Sequence, residues 1–229
     1  MNGIIYGIGV GIGDPEDITL KAIRLIEESD VLILPKKDPD KCRAYQIAKQ
    51  NVANIESIET VALEFEMTKD RTISRENHEK IYETVKELVL SGKKVAFLTI
   101  GDPALYSTYS YIADLAGRDG IETCAVSAVS SVTACADSLG VTLCEGDEQL
   151  HIIPGTKDIE SALELDGTKV FMKCGKNMSL IKEALKRKEK NISVYAVSDY
   201  GTAQETHYHG TDDLPDDGNY MMTVIVKTR

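Results

Sequence analysis

The sequence predicts an α/β protein of two domains, a mainly parallel N-terminal sheet followed by a mixed C-terminal sheet, and three observations predict it. Short apolar, β-branched runs alternate with amphipathic stretches over much of the chain, the pattern of strands covered on both faces by crossover helices. A glycine-rich turn leads from the first such run into a helix start. In the final third, strand-like runs follow one another too closely for a crossover helix, which calls for antiparallel pairing.

Taken in order, the strand candidates are IIYGIG from Ile4, VLILP from Val31, VAFLTI from Val95, ETCAV from Glu122, LHIIP from Leu150, KVFMK from Lys169 and ISVYAV from Ile192. Asp14-Pro15-Glu16-Asp17 reads as a helix start, with Asp14 as N-cap, Pro15 in the first position and acidic groups at the positive end of the dipole. Ile18, Ala22, Leu25 and Ile26 then form its buried stripe. Ile81, Val85, Leu88 and Val89 recur at helical spacing and stop at Gly92, and Ser130 to Leu139 is closed in the same way by Gly140. YAVSDYGTAQETHYHG and the closing YMMTVIVK supply the antiparallel strands. The turn-like break Arg118-Asp119-Gly120 places the domain boundary, giving domains 1–120 and 121–229.

Bulk composition narrows the partners. With 229 residues, 42% of them hydrophobic, the chain can bury a substantial core. Its 37 acidic against 26 basic residues give a net charge of −11, which repels nucleic acid at long range and favours a small-molecule partner. The five cysteines are odd in number and never spaced C-x-x-C, so reduced thiols in the cytoplasm are expected. No apolar run reaches the roughly 18 to 20 residues that span a bilayer, and the chain opens directly into a strand, so no membrane partner and no targeting segment are expected.

Two segments carry chemistry. Gly7-Ile-Gly9-Val-Gly11-Ile-Gly13-Asp14-Pro15 leaves the first strand with a glycine at every second position, permitting positive φ and close approach of the backbone to a ligand; a tight strand-to-helix turn is the plainer alternative. It misses the dinucleotide fingerprint, since Asp14 stands where the third glycine belongs and the second strand ends in Leu34-Pro35-Lys36-Lys37 without a ribose-binding carboxylate. Thr99-Ile-Gly101-Asp102-Pro103-Ala-Leu105-Tyr106-Ser107-Thr108 follows the VAFLTI strand at the end where open α/β sheets bind ligands. Asp102 could cap a following helix or face a ligand. No G-x-x-x-x-G-K-[ST] occurs.

Together these segments resemble the two signatures of the tetrapyrrole methylase family: GIGVGIGDPEDITLKA resembles its N-terminus and LTIGDPALYST its second glycine-aspartate-proline motif. The likeness continues in order through Ala128-Val129-Ser130-Ser131, Val170-Phe171-Met172-Lys173, Asp199-Tyr200-Gly201-Thr202 and Asn219-Tyr220-Met221-Met222-Thr223-Val224-Ile225. Ile12 stands where the family often has proline, and Ser127-Ala128 replaces the usual Pro-Gly. FEMTKDR at 65–71, GDPALYSTYSYI and MKCGKN at 172–177 resemble the precorrin-2 or cobalt-factor II C-20 methyltransferases within it.

The resemblance implies S-adenosyl-L-methionine in a cleft between two domains, a tetrapyrrole substrate and a homodimer. Cofactor contacts implied by it fall at Gly11, Ile12, Ile100, Gly101, Asp102, Leu105, Ser130, Ser131, Met172, Lys173, Gly201 and Thr202. It supplies no catalytic side chain, and alignment of an activated methyl donor with an electron-rich ring carbon can provide most of the rate. Because the substrate is a polycarboxylate, Lys36, Lys37, Lys69 and Arg71 are candidates for substrate binding. Methylation of another ring carbon and a non-catalytic nucleotide-binding module stay open as rivals. His207 and His209 share a face but have no third ligand at suitable spacing, so no metal is expected, and the cysteines read as small core residues.

Overall fold

Alternation within the apolar runs decides which side of the first sheet each residue buries. The computed structural model describes residues 3–65, 68, 70–155, 158–188 and 192–228, divided into units 1–130 and 131–229. In the first unit, β1 (Ile4–Gly9), β2 (Val31–Leu34), β3 (Glu59–Ala62), β4 (Lys94–Thr99) and β5 (Thr123–Val126) lie in the order β3-β2-β4-β1-β5 with every pairing parallel. Leu32, Leu34, Ala96 and Leu98 pack with α1 (Leu20–Glu27) and α2 (Arg43–Lys49) on one face. Val31, Ile33, Val95 and Phe97 pack with α3 (Arg71–Leu90) and α4 (Tyr109–Arg118) on the other. Both faces are covered, which is why these strands are continuous apolar runs.

Two expectations need correction, and one strand went unread. The first helix does not start at Asp14: that carboxylate accepts from the Glu16 amide at 2.9 Å and caps only a 3-10 turn, Pro15–Asp17. Buried Ile18 is then extended, and α1 begins after Thr19, whose Oγ1 accepts from the Ala22 amide at 3.1 Å. The edge strand β3 was not signalled, because Glu59 and Thr60 face solvent and break the apolar pattern. Finally, the break at 118–120 ends α4 and not a domain. Gly120 has φ 69°, the Ile121 amide donates to the Ala116 carbonyl, and the chain continues into β5, which pairs with β1.

The second unit is a mixed sheet in the order β6-β7-β10-β8-β9, as its strand spacing demands. The strands β6 (Leu150–Pro154) and β7 (Thr168–Met172) are parallel, while β8 (Ile192–Ser198), β9 (Thr206–His209) and β10 (Thr223–Thr228) enter antiparallel. The helices α6 (Ile159–Leu163) and α7 (Met178–Arg187) bury Phe171, Val194, Ala196, Val224 and Val226 on one face. The remaining helix, α5 (Ser131–Ser138), packs against β10. Burial pushes the Cys135 and Cys174 thiols up to about 12, consistent with inert core residues. Among the described residues no helix is long and apolar enough to cross a membrane.

Two polar ties serve these layers. Between α3 and α4, Asp119 Oδ2 accepts from Tyr82 Oη at 2.8 Å and pairs with Lys86 Nζ at 2.7 Å. In the second unit, Lys169 is wholly buried and its ammonium donates to the carbonyls of Leu165 (2.7 Å) and Gly167 (2.8 Å) and to Thr228 Oγ1 (2.5 Å). These acceptors are neutral, so burial pulls the lysine below its usual value.

Lys169→Ala removes the donor of three acceptors and opens a cavity, so a loss of roughly 2–5 kcal/mol is expected in denaturant unfolding. The Asp119 carboxyl is held below its ordinary 3.8 first by the Lys86 hydrogen bond and then by Tyr82. A depressed carboxylate contributes stability that is present above its ordinary value and is lost as pH falls through the folded one. The melting temperature of Asp119→Asn should therefore lie below wild type at neutral pH and converge on it below 3.8.

Candidate functional site

The two glycine-bearing turns predicted to carry chemistry meet backbone to backbone. Beyond the β1–β4 ladder, the Val10 amide donates to the Thr99 carbonyl at 3.1 Å and the Gly101 amide to the Gly11 carbonyl at 2.8 Å. Gly11 and Gly101 form an isolated antiparallel bridge and have φ of 81° and 71°, a region that disfavours other residues. Beneath them a Cβ on Gly9 would lie 2.4 Å from the Gly101 carbonyl oxygen and 2.6 Å from Ala128 Cβ. Buried Ile12 and half-buried Ile100 and Leu105 provide apolar surface on these turns.

Asp102 is the latch of this arrangement. Its Oδ1 accepts from the Ala104 amide at 2.8 Å and its Oδ2 from the Ala128 amide at 3.0 Å, joining the turn after β4 to the turn after β5. It does not cap α4; Ser107 Oγ accepts from the Tyr109 amide at 3.2 Å there, itself bonded to Thr99 Oγ1 at 2.9 Å. The carboxyl ends of β1, β4 and β5 thus converge, bringing Gly11, Ile12, Ile100, Gly101, Asp102 and Leu105 to one end of the sheet, with Ser130 two residues beyond the latch.

In the second unit Met172 ends β7, its carbonyl accepting from the Gly155 amide at 2.7 Å. Lys173 follows with φ 56° and its Nζ 5.7 Å from the centre of the Tyr220 ring. Gly201 and Thr202 lie in the loop between β8 and β9, where Thr202 Oγ1 donates to the Asp199 carbonyl at 2.7 Å and Asn219 Nδ2 to the Asp199 carboxylate. Ser131 opens α5.

Sequence reasoning missed Glu205. Its Oε2 accepts from the Gly201 amide at 2.7 Å, and its Oε1 lies 2.7 Å from Ser138 Oγ and 2.6 Å from His207 Nε2. Burial alone pushes this carboxyl up, but the hydrogen bonds from Ser138, His207 and the Gly201 amide outweigh it and hold the group below 4.5. The available signal was a carboxylate two residues before His207, immediately ahead of the strand that carries the histidine.

The cationic candidates are less concentrated. Lys36 and Lys37 are exposed after β2, and Lys37 pairs with Glu64 at 3.3 Å. Arg71 is the exposed first residue of α3, and Lys69 lies outside the described residues. The two segments meet at Glu64, whose carbonyl accepts from Asn77 Nδ2 of α3 at 3.2 Å, and Phe65 anchors the stretch edge-on against Phe97 at 5.7 Å. Among the described residues no group of three or more histidine, cysteine or carboxylate side chains could hold a metal ion.

The family model of the tetrapyrrole (corrin/porphyrin) methylases matches residues 4–213. The probable cobalt-precorrin-2 C(20)-methyltransferase of Methanocaldococcus jannaschii is 38% identical over 192 residues, 82% of this chain and 79% of that protein. The precorrin-2 C(20)-methyltransferase of a Sinorhizobium species is 28% identical, covering 80% of this chain and 78% of its own. Among solved structures, a cobalt precorrin-4 methyltransferase has a TM-score of 0.76 at 18% identity, over 98% of this chain and 94% of that one. The uroporphyrin-III C-methyltransferase of Thermus thermophilus complexed with S-adenosylhomocysteine has a TM-score of 0.71 at 20% identity, over 98% and 97%. The structural likeness establishes the fold, and the match along most of the sequence establishes kinship: the chain belongs to the tetrapyrrole (corrin/porphyrin) methylases.

Proposed function

We propose that this chain transfers the methyl group of S-adenosyl-L-methionine to carbon 20 of precorrin-2 or cobalt-factor II during corrin ring construction. The observation that carries the proposal is the 38% identity, over 82% of the chain, to a probable cobalt-precorrin-2 C(20)-methyltransferase. The joined turns of the first unit support it. Gly101 is uncrowded on its Cα side, where an added Cβ would meet only Ile12 Cγ2, at 3.5 Å. Ile12, Ile100 and Leu105 suit the apolar surfaces of an adenosine and a thioether.

In this reading the residues that hold the cofactor are Gly11, Ile12, Ile100, Gly101, Asp102, Leu105, Ser130, Ser131, Met172, Lys173, Gly201 and Thr202. The bound sulfonium supplies an already activated methyl group. The chain's own residues bind and orient it, and Asp102 acts by fixing the two turns. Each of its oxygens keeps a second lone pair, through which it could also accept from a ribose hydroxyl. Lys36, Lys37, Lys69 and Arg71 attract the carboxylates of the ring. The enzyme works in the cytoplasm as a homodimer.

Incubation with cofactor and either the metal-free or the cobalt-containing ring should yield S-adenosylhomocysteine and a product heavier by one methyl, located at carbon 20 by NMR. A methyl at another carbon points to a different member of the family, and no turnover with tight cofactor binding points to a binding module. Asp102→Ala frees two backbone amides, so it should lower the melting temperature and weaken S-adenosylhomocysteine binding about tenfold or more in calorimetry. A folded variant with unchanged affinity removes Asp102 from the site. Light scattering should return twice the chain mass of 25.1 kDa.

A further inference from the structure

We propose that Glu205 is the positioning residue of the cofactor-contacting loop in the second unit, its carboxylate clamping the Gly201–Thr202 segment to the end of the helix that begins at Ser131. The proposal rests on the reading that Gly201, Thr202 and Ser131 touch S-adenosylmethionine.

The loop's own hydrogen bonds make a local turn. Thr202 donates through both its amide (3.2 Å) and its Oγ1 (2.7 Å) to the Asp199 carbonyl, and the Gln204 amide returns to Thr202 Oγ1 at 3.2 Å. Those bonds shape the turn without fixing it to α5. Glu205 makes such an attachment: Oε2 takes the Gly201 amide at 2.7 Å, while Oε1 takes Ser138 Oγ at 2.7 Å at the last residue of α5. His207 Nε2 lies 2.6 Å from the same Oε1 and 2.7 Å from Ser138 Oγ, closing a triangle that sets the carboxylate's orientation. This is not the relay of a nucleophile, because His207 meets serine and carboxylate through one and the same nitrogen, where a relay uses both ring nitrogens. Gly201 itself has φ 69°, a conformation that favours glycine, and its amide is the group that Glu205 engages. Asp199, at φ 52°, holds a strained turn at the other end of the segment, and such strain persists only where neighbouring bonds enforce it.

The test compares Glu205→Ala and Glu205→Gln by calorimetry with S-adenosylhomocysteine, steady-state kinetics and thermal melting. Alanine frees the Gly201 amide and should raise the Kd and the cofactor KM about tenfold or more, the loss of a charged hydrogen bond. The kcat at saturating cofactor and the tetrapyrrole KM should move less than about twofold. Glutamine keeps an acceptor for Gly201, and its amide can donate to Ser138 Oγ, so it should recover most of the affinity. If Glu205→Ala does not fold, Glu205→Gln and Ser138→Ala carry the comparison, the latter expected to weaken binding by about threefold through loss of one hydrogen bond. A lowered melting temperature with unchanged cofactor KM overturns the proposal. Gly201→Val separates the two levels: if it weakens binding while Glu205→Ala does not, the clamp is wrong and the site stands. If both bind as wild type, the placement of cofactor at this loop fails and takes the clamp with it.

Discussion

The hydrogen bond from the Gly101 amide to the Gly11 carbonyl, at 2.8 Å, joins two strand ends through a backbone conformation that side-chain-bearing residues rarely adopt. It is possible because neither residue has a Cβ at its positive φ and because Gly9, one turn deeper, leaves room for the Gly101 carbonyl and Ala128. The strand order sets the stage for it: β1 lies between β4 and β5, and all three are parallel, so the three turns leave the sheet at the same end. Asp102 then reaches across to the Ala128 amide and fixes the third turn to the first two. A side chain at Gly9 would press on both neighbours at once, so the closeness of the turns is a property of the whole sheet end and not of one loop.

Strain gathers in the same segments. The non-glycine residues with positive φ among the described residues are Tyr106, Lys173 and Asp199. One follows Leu105, one is itself a candidate contact, and one begins the loop that carries Gly201 and Thr202. Each such conformation costs on the order of 1–3 kcal/mol and must be held by its surroundings. The surroundings are rigid: both units bury their central strands, with Phe97, Phe171, Val224 and Ile225 fully inaccessible. The cores hold the turns in conformations that the turns would not adopt by themselves.

Much of this was legible in the sequence because the determinants are local. Strand runs covered on both faces, the helical stripe of α3 stopping before Gly92, and the positive φ of Gly11 in the first turn read correctly, and family likeness agreed with the fold. What could not be read depends on partners distant in the chain. Whether Asp102 would cap a helix or bridge turns was decided by an amide 26 positions away. The clamp at Glu205 was invisible because Ser138 lies 67 positions earlier. Edge strand β3 hid behind exposed Glu59 and Thr60, and the apparent linker at 118–120 was a helix end whose following strand returned to the first sheet. At Asp14 a strong capping signal was real but served a 3-10 turn, since burial of Ile18 requires an extended residue before the helix can start.

The engagement of Asp102 also bears on how the proposed reaction obtains its rate. Both oxygens of this carboxylate already accept from backbone amides, so its work in the structure is to hold the turns in place, and positioning is what the turns contribute. The other residues gathered at these turns, Ile12, Ile100 and Leu105, have no acid–base chemistry. In the proposed site these apolar side chains do something else: transfer of a methyl group from a sulfonium to a neutral carbon disperses the positive charge, so surroundings of low polarity withdraw more stabilisation from the concentrated charge of the ground state than from the dispersed charge of the transition state. Rigid turns add alignment, which converts binding energy into a near-attack geometry. A site that works by alignment and low polarity needs tightly held backbone more than it needs a reactive side chain, and the molecule has placed its glycines, its latch and its strain accordingly.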